Sequence, residues 1–111
     1  MSENAGALKG LPFHLADYVD YAEDSIVSKI LLKKDTGNIT LFSFDAGQGL
    51  SEHTAPFDAV VQILDGRAQI TIGSETHEVR GGEMIIMPAD VPHALHAVES
   101  FKMLLVMIRG E

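Results

Sequence analysis

The sequence predicts an all-β fold, either a sandwich or a barrel. Eight short runs rich in β-branched and large apolar residues follow one another after residue 25, and turn residues separate them at regular intervals. No stretch beyond residue 25 keeps an apolar period of about 3.6 residues for long enough to form a packed helix. The length of 111 residues is that of one domain, and the hydrophobic share of 46% is enough for one core.

Turn residues mark the ends of the predicted strands. Asp65 and Gly66 join two strands through only two residues, which predicts a type I′ hairpin with positive φ at both positions. Glycines at 73 and at 81–82 predict the next two turns. The predicted strands are Ile26–Lys33, Asn38–Phe44, Ala59–Leu64, Arg67–Ile72, Thr76–Val79, Met84–Met87, His93–Ala97 and Lys102–Ile108.

Residues 1–24 are predicted to form an N-terminal arm, and residues 25–111 the barrel domain. The first dozen residues are small and polar, as is typical of a loosely held terminus. Leu15 and Val19 have helix-like spacing, so Phe13–Tyr21 is predicted to contain at most one short helical turn.

Composition excludes several classes of partner and chemistry. The chain has 16 acidic and 8 basic side chains, for a net charge of −8, whereas nucleic acids and anionic membranes attract clustered Lys and Arg. We therefore expect no nucleic-acid and no membrane partner. The absence of cysteine excludes disulfides, thiolate metal sites and a cysteine nucleophile. No signal peptide is recognisable, and the longest apolar run, Met103–Ile108, is too short to span a bilayer, so we expect a cytoplasmic protein.

The five histidines are the main candidates for chemistry. Without cysteine, a transition-metal site must combine imidazole with oxygen ligands, thioether or water. Two of these histidines lie at comparable places, each shortly after a glycine-bearing turn. We predict that His53 and His93 point into the barrel, within reach of one shared metal or ligand. The others, His14, His77 and His96, are predicted to be surface residues.

Two segments of the chain resemble the two motifs of the cupin superfamily. Gly47–Gly66, which contains His53, is similar to the first motif, and Gly82–His93, which contains Pro88, is similar to the second. They occur in the family's order and at the family's separation, and the resemblance covers residues 38–108. It implies a small single-domain cupin of the conserved-barrel (cupin 2) type, whose fold is a double-stranded β-helix, or jelly-roll, barrel.

The chain departs from the family's pattern at positions that matter for metal binding. Ala55 stands where the resemblance implies a second histidine, and Ala59 where it implies a glutamate. Asp90 stands where a glycine is usual. Of the four ligands that the resemblance implies, His53 and His93 remain, and two imidazoles alone bind a divalent metal weakly. The sequence leaves open a weak or rebuilt divalent transition-metal site and a metal-free cavity.

A ligand pocket is predicted beside the two histidines. Residues two apart along a strand point the same way, so alternate residues from His53 onward are expected to share the inner face. Asp58 is predicted to cap a turn or to lie at the barrel mouth, and it is the best partner for His53 if it faces the cavity. Glu52 has the opposite parity and would need a β-bulge to point inward. The predicted pocket residues are Ala55, Phe57, Asp58, Ala59 and Val61.

Three functions are compatible with these observations, and the fold alone does not choose between them. The first is a cupin that binds a small molecule, oriented by His53 and His93, with or without a divalent metal. The second is a metal-dependent enzyme of the dioxygenase or isomerase type that uses the same two histidines. The third is a non-catalytic, dimeric regulatory module. The sequence carries neither a phosphate-binding loop nor a nucleophile elbow.

Two of the predicted strands also predict a partner. Ile26–Leu32 and Met103–Ile108 are apolar on both parities, whereas a strand with one face in water should alternate. Uncovered, they would expose more apolar surface than a small monomer normally does. We therefore predict a two-fold symmetric homodimer buried mainly through these strands.

Overall fold

The computed structural model describes residues 8–109, which form two facing antiparallel sheets. The five-stranded sheet has the order β1-β2-β9-β4-β7, and the four-stranded sheet has the order β3-β8-β5-β6. The strands are β1 (Ile26–Lys34), β2 (Gly37–Phe44), β3 (Gly49–His53), β4 (Ala59–Asp65), β5 (Arg67–Ile72), β6 (Glu75–Arg80), β7 (Met84–Met87), β8 (His93–His96) and β9 (Phe101–Ile108).

The all-β prediction is confirmed, with one strand missed. Each of the eight predicted runs matches an observed strand to within one or two residues at either end. Strand β3 was missed because its sequence, Gly-Leu-Ser-Glu-His, has no β-branched residue and four of its five residues are exposed. The N-terminal segment contains one 3₁₀ turn at Leu15–Asp17, as predicted. None of the helical segments in residues 8–109 is long and apolar enough to cross a membrane.

The predicted type I′ hairpin at Asp65 and Gly66 is wrong. Both edges of β4 are already paired, with β7 and β9, so β4 cannot pair with β5. The two residues instead carry the chain from the five-stranded sheet to the four-stranded sheet. Gly66 has a φ of +74°, whereas Asp65 is not in the positive-φ region. The glycine at 73, by contrast, has a φ of +62° and lies in the predicted turn, which the structure shows to be a two-residue hairpin loop between β5 and β6.

The core lies between the two sheets and follows the alternation along their strands. In β4, for example, Ala59, Val61 and Ile63 are buried, and the residues between them are partly exposed. Phe44, which ends β2, and Phe101, which begins β9, are fully buried and stack with ring centroids 4.5 Å apart. The cluster comprises Phe44, Ala59, Val61, Ile63, Ala68, Ile70, Val79, Met87, Leu95, Ala97, Phe101 and Met103.

The N-terminal segment packs on the outside of the five-stranded sheet. Val19 is completely buried there, and two sheet residues hold the segment's backbone. Ser43 donates a hydrogen bond from Oγ to the carbonyl of Asp20 at 2.8 Å, and Lys102 donates from Nζ to the carbonyl of Ala16 at 2.6 Å. Residues 8–24 therefore cover the outer face near β2. Residues 1–7 of the predicted arm lie outside the described part of the chain.

The rest of that outer face is mostly apolar, and no other segment of residues 8–109 covers it. One row of register partners crosses four strands in the order Ile39, Val106, Val60 and Ile86. Ile86 is 58% exposed, and a cleft of about 270 Å³ opens beside Ile39 and Val106. We call this surface the outer patch. Its members are Ile39, Val60, Met84, Ile86, Leu104, Val106 and Ile108.

Candidate functional site

Both candidate histidines lie at one end of the two facing sheets. His53 ends β3 and is the register partner of His93, which begins β8. In the facing sheet, β4 begins at Ala59, opposite Met107 near the end of β9. The loops 54–58 and 88–92 connect the two sheets at this end. We call it the mouth of the barrel.

A β-bulge turns His53 toward the interior. Leu50 pairs with Leu95, and His53 pairs with His93, so β3 has one residue more than β8 over this stretch. Without the extra residue, His53 would lie on the side opposite to Leu50, which packs against the core. The bulge therefore brings the side chains of Leu50 and His53 to the same, inner face of β3. Glu52, for which the sequence raised the option of a bulge, is exposed.

Two hydrogen bonds join the loops that rim the mouth. Asp90 donates its backbone N–H to the carbonyl of Ala55 at 2.8 Å, and Ala89 donates its own to Oδ1 of Asp58 at 2.8 Å. Asp58 thus caps a turn, one of the two roles predicted for it. Asp90 has a φ of +63°, which explains why its position favours glycine; Asp tolerates this conformation better than most residues.

The two imidazoles face each other through their Nε2 atoms, which are 3.1 Å apart. His93 is only 5% exposed, whereas His53 is open to solvent. The Nδ1 atom of His53 lies 2.8 Å from the carbonyl of Ser51, and that of His93 lies 3.3 Å from the carbonyl of Val91. A carbonyl only accepts, so each Nδ1 carries its proton. In the neutral rings, both Nε2 lone pairs then converge on one point, where a proton or a cation would stabilise them.

Burial lowers the pKa of His93 from its ordinary value of 6.5, and repulsion from His53 lowers it further. The hydrogen bond to Val91 opposes these effects but is the smallest of the three. The His93 imidazole is therefore neutral in the folded protein at pH 7. Its lone pair is available to a cation or to a hydrogen-bond donor on a ligand.

The lowered pKa of His93 predicts a loss of stability in mild acid. Below about pH 6.5 the unfolded chain binds a proton at this residue while the folded chain does not, so the free energy of unfolding falls as the pH decreases toward the lowered pKa. We expect His93→Gln to flatten this pH dependence in urea titrations between pH 7.5 and 5.5, in buffer with a chelator. His77→Gln, at an exposed site, is the control. An NMR titration that gives His93 a pKa above 6.5 would contradict the prediction.

The separation of the two Nε2 atoms matches that of two adjacent ligand positions around one divalent transition metal. Imidazole nitrogens bound at about 2.0–2.1 Å and at angles of about 90–109° lie about 2.8–3.4 Å apart, and the observed separation is 3.1 Å. The next two ligand positions implied by the resemblance hold Ala55 and Ala59. Within residues 8–109, no three His, Asp or Glu side chains come together as a metal site. His53 and His93 would hold a metal as two ligands, with the remaining positions left to water or a small molecule.

The structure places the other predicted residues as follows. Ala59 and Val61 belong to the core, whereas Ala55 and Phe57 lie in the loop 54–58 at the mouth and are half-buried. Their role as pocket residues stays a prediction. The histidines predicted to lie on the surface, His14, His77 and His96, are exposed.

Sequence reasoning missed two polar residues near the mouth. Thr40 is buried and donates a hydrogen bond from Oγ1 to Oδ1 of Asn38 at 3.3 Å. Both lie on the inner face, because their register partners in β9, Leu105 and Met107, pack against the core. The alternation of Asn38 and Thr40 with the apolar residues of β2 was the available signal, because it indicates that the two polar side chains share one face of the strand. Histidine and carboxylate motifs do not include them.

Comparison with known proteins agrees with the fold. Two facing antiparallel sheets are typical of double-stranded β-helix proteins of the cupin class. A family model described as "Cupin domain" matches residues 40–109. The chain belongs to the cupin family.

Two of the similar proteins are themselves described as uncharacterised or of unknown function. An uncharacterised protein of Streptomyces coelicolor is 34% identical over 76 residues, which cover 68% of this chain and 72% of that protein. A conserved Streptococcus pyogenes protein of unknown function is 44% identical, with a TM-score of 0.88 and coverage of 92% and 90%. A cupin superfamily protein of Desulfitobacterium hafniense is 29% identical, with a TM-score of 0.87 and coverage of 92% and 94%.

Proposed function

We propose that the protein binds a small molecule at the mouth of its barrel, with His53 and His93 as the polar anchor. The observation that carries the proposal is the convergence of the two Nε2 atoms, each with its Nδ1 fixed by a backbone carbonyl. His53 is exposed, so the pair is reachable from solvent, and half-buried Ala55 and Phe57 offer apolar surface beside it. Ligand sites typically combine apolar walls with a few fixed polar groups.

A divalent transition metal would be held by the same two nitrogens. When bound, it would act as a Lewis acid toward oxygen or nitrogen groups of the ligand, since most of its coordination positions are left free. Within residues 8–109 the two Nδ1 atoms contact backbone carbonyls and the two Nε2 atoms contact each other, so no carboxylate touches either ring. We propose binding as the primary role.

Replacement of His53 tests the anchor. A cobalt(II) titration of untagged protein is expected to show one site, and His53→Ala is expected to weaken it at least about tenfold, because one of two ligands is lost. His96→Ala removes an exposed imidazole of β8 that faces away from the core, and should change nothing. Cobalt binding that survives in His53→Ala would contradict a site at the pair.

The small-molecule role is tested with aromatic probes in the chelated protein. We expect phenol, 4-hydroxybenzoate and 4-hydroxybenzamide to shift the NMR signals of residues 53–59 and 91–93 in a saturable manner. The shifts should disappear in His53→Ala and persist in His96→Ala. Shifts that map only to other parts of the barrel would count against the mouth as the binding site.

We also propose that two copies of the chain associate through the outer patch. The patch is an apolar sheet face with Gln62 as its polar neighbour, so it is free of the negative charge that dominates the chain. The N-terminal segment covers the β2 side of the face, where Leu41 and Ser43 are fully buried, and leaves the β9–β4–β7 side open. The dimer predicted from β1 and β9 is thus proposed to centre on β9, β4 and β7.

A further inference from the structure

Arg109 places a guanidinium group at the same end of the barrel as the histidine pair. Met107 and Ala59 are register partners at the mouth. Arg109 follows Met107 by two residues, and Phe57 precedes Ala59 by two residues, so both lie beyond this pair on the same side. The guanidinium carbon of Arg109 lies 5.4 Å from the centroid of the Phe57 ring. The backbone N–H of Arg109 donates to the carbonyl of Thr36 at 2.6 Å, which fixes the start of the side chain.

Within the described residues, this guanidinium contacts an aromatic ring and forms no ion pair with a carboxylate. Within residues 8–109, the other two arginines form ion pairs: Arg67 with Glu78 and Glu99, and Arg80 with Glu78. Arg109 takes part in no ion pair among these residues. Acidic residues outnumber basic ones by 16 to 8, so carboxylates are plentiful in this chain. Contact with the face of a ring leaves the N–H edge of a guanidinium free to bind an anion.

The loop that carries Phe57 also connects Arg109 to the histidine pair. It begins directly after His53 and spans residues 54–58, and its Ala55 is tied by hydrogen bond to the loop that leads into His93. A molecule lying along this loop would meet the two Nε2 lone pairs at one end and the guanidinium at the other. Its middle would contact the half-buried side chains of Ala55 and Phe57.

We propose that Arg109 is a second anchor of the ligand site and that it selects small carboxylates. This inference rests on the proposed function. The forked N–H groups of arginine match the two oxygens of a carboxylate, and the converging Nε2 atoms accept a hydrogen bond from a hydroxyl or amino group. The ligand class is therefore a small carboxylate with an apolar body and a hydroxyl or amino group at its far end.

Two probes that differ only in charge test this inference. 4-Hydroxybenzoate and 4-hydroxybenzamide have the same size and the same hydroxyl group, and their dissociation constants are measured by NMR titration of the chelated protein. The wild type is expected to bind the carboxylate at least about tenfold more tightly than the amide. Arg109→Gln should reduce this preference to about twofold or less, mainly by weakening the binding of the carboxylate, and Arg109→Lys should retain part of the preference.

Lys34→Gln is the matched control, since it removes the same charge from another exposed residue at the end of β1. It should keep the preference for the carboxylate. If Arg109→Gln keeps the preference, or if Lys34→Gln loses it equally, the role of Arg109 is overturned while the histidine anchor stands. If neither probe binds in a manner sensitive to His53→Ala, the proposed function itself fails, and this inference fails with it.

Discussion

Gly66→Ala is expected to lower the free energy of unfolding by at least about 3 kcal/mol, the largest effect of any single substitution considered for this chain. Gly66 has a φ of +74°, which costs an alanine about 1–2 kcal/mol. A Cβ atom there would also overlap the carbonyl oxygen of Ser100 and would lie 3.0 Å from Cα of Phe101. These are backbone atoms at the start of β9, and they cannot move without disturbing the buried Phe44–Phe101 stack.

The measurement is urea denaturation at a fixed protein concentration, and Gly82→Ala is its control. Gly82 has a φ of +92°, but a Cβ atom at that position would meet no atom within 4 Å. The control therefore carries the backbone strain without the overlap and is expected to cost about 1–2 kcal/mol. If both variants lose the same free energy of unfolding, the overlap of a Cβ atom with the backbone at Gly66 does not contribute to the loss.

Ile86→Glu is expected to dissociate the proposed dimer. At micromolar concentration the wild type should sediment with twice the 12.0 kDa mass of one chain. Ile86 is 58% exposed in the single chain, so glutamate there is compatible with the folded monomer. In the dimer the carboxylate would be buried in an apolar contact, and the dissociation constant should rise at least about 100-fold, or about 2.7 kcal/mol.

Val98→Glu provides the matched control for the dimer experiment. Val98 is 53% exposed and lies beside Arg67 and Gln69 on the four-stranded sheet, far from the outer patch in the topology. The same change of side chain there should leave the sedimentation unchanged. A wild type that sediments as a single chain would refute the dimer, and equal effects of the two variants would refute the outer patch as its interface.

Most of the fold could be predicted from sequence because β5 signals its strand by apolar alternation, β4 and β9 signal theirs by apolar runs, and turn residues separate the runs. The exceptions have physical causes. β3 was missed because an exposed strand that follows a glycine-rich turn has little apolar signal. The dipeptide of Asp65 and Gly66 has the composition of a hairpin, but strand pairing decides its role, and pairing depends on residues as distant as Met103 in β9.

The candidate site could be predicted only in part. Spacing indicated that His53 and His93 belong together, and the structure places their Nε2 atoms 3.1 Å apart. The bulge that turns His53 inward could not be predicted, because it is a property of the pairing between β3 and β8. Arg109 was missed because it follows β9, outside both motifs, and only the β4–β9 register brings it to Phe57.

The position of β9 between β2 and β4 has a consequence for how the chain acquires its shape. Strand β9 lies in the middle of the five-stranded sheet, between β2 and β4. The pair of β1 and β2 and the pair of β4 and β7 are therefore joined into one sheet only when β9 has paired with both β2 and β4. The two histidines, 40 residues apart, are likewise joined by a non-local pairing. Such topologies fold slowly, in about milliseconds to seconds, because loop closure precedes the stabilising contacts. On the ribosome, the proposed binding site would therefore form only after β9 has emerged, in the final cooperative phase.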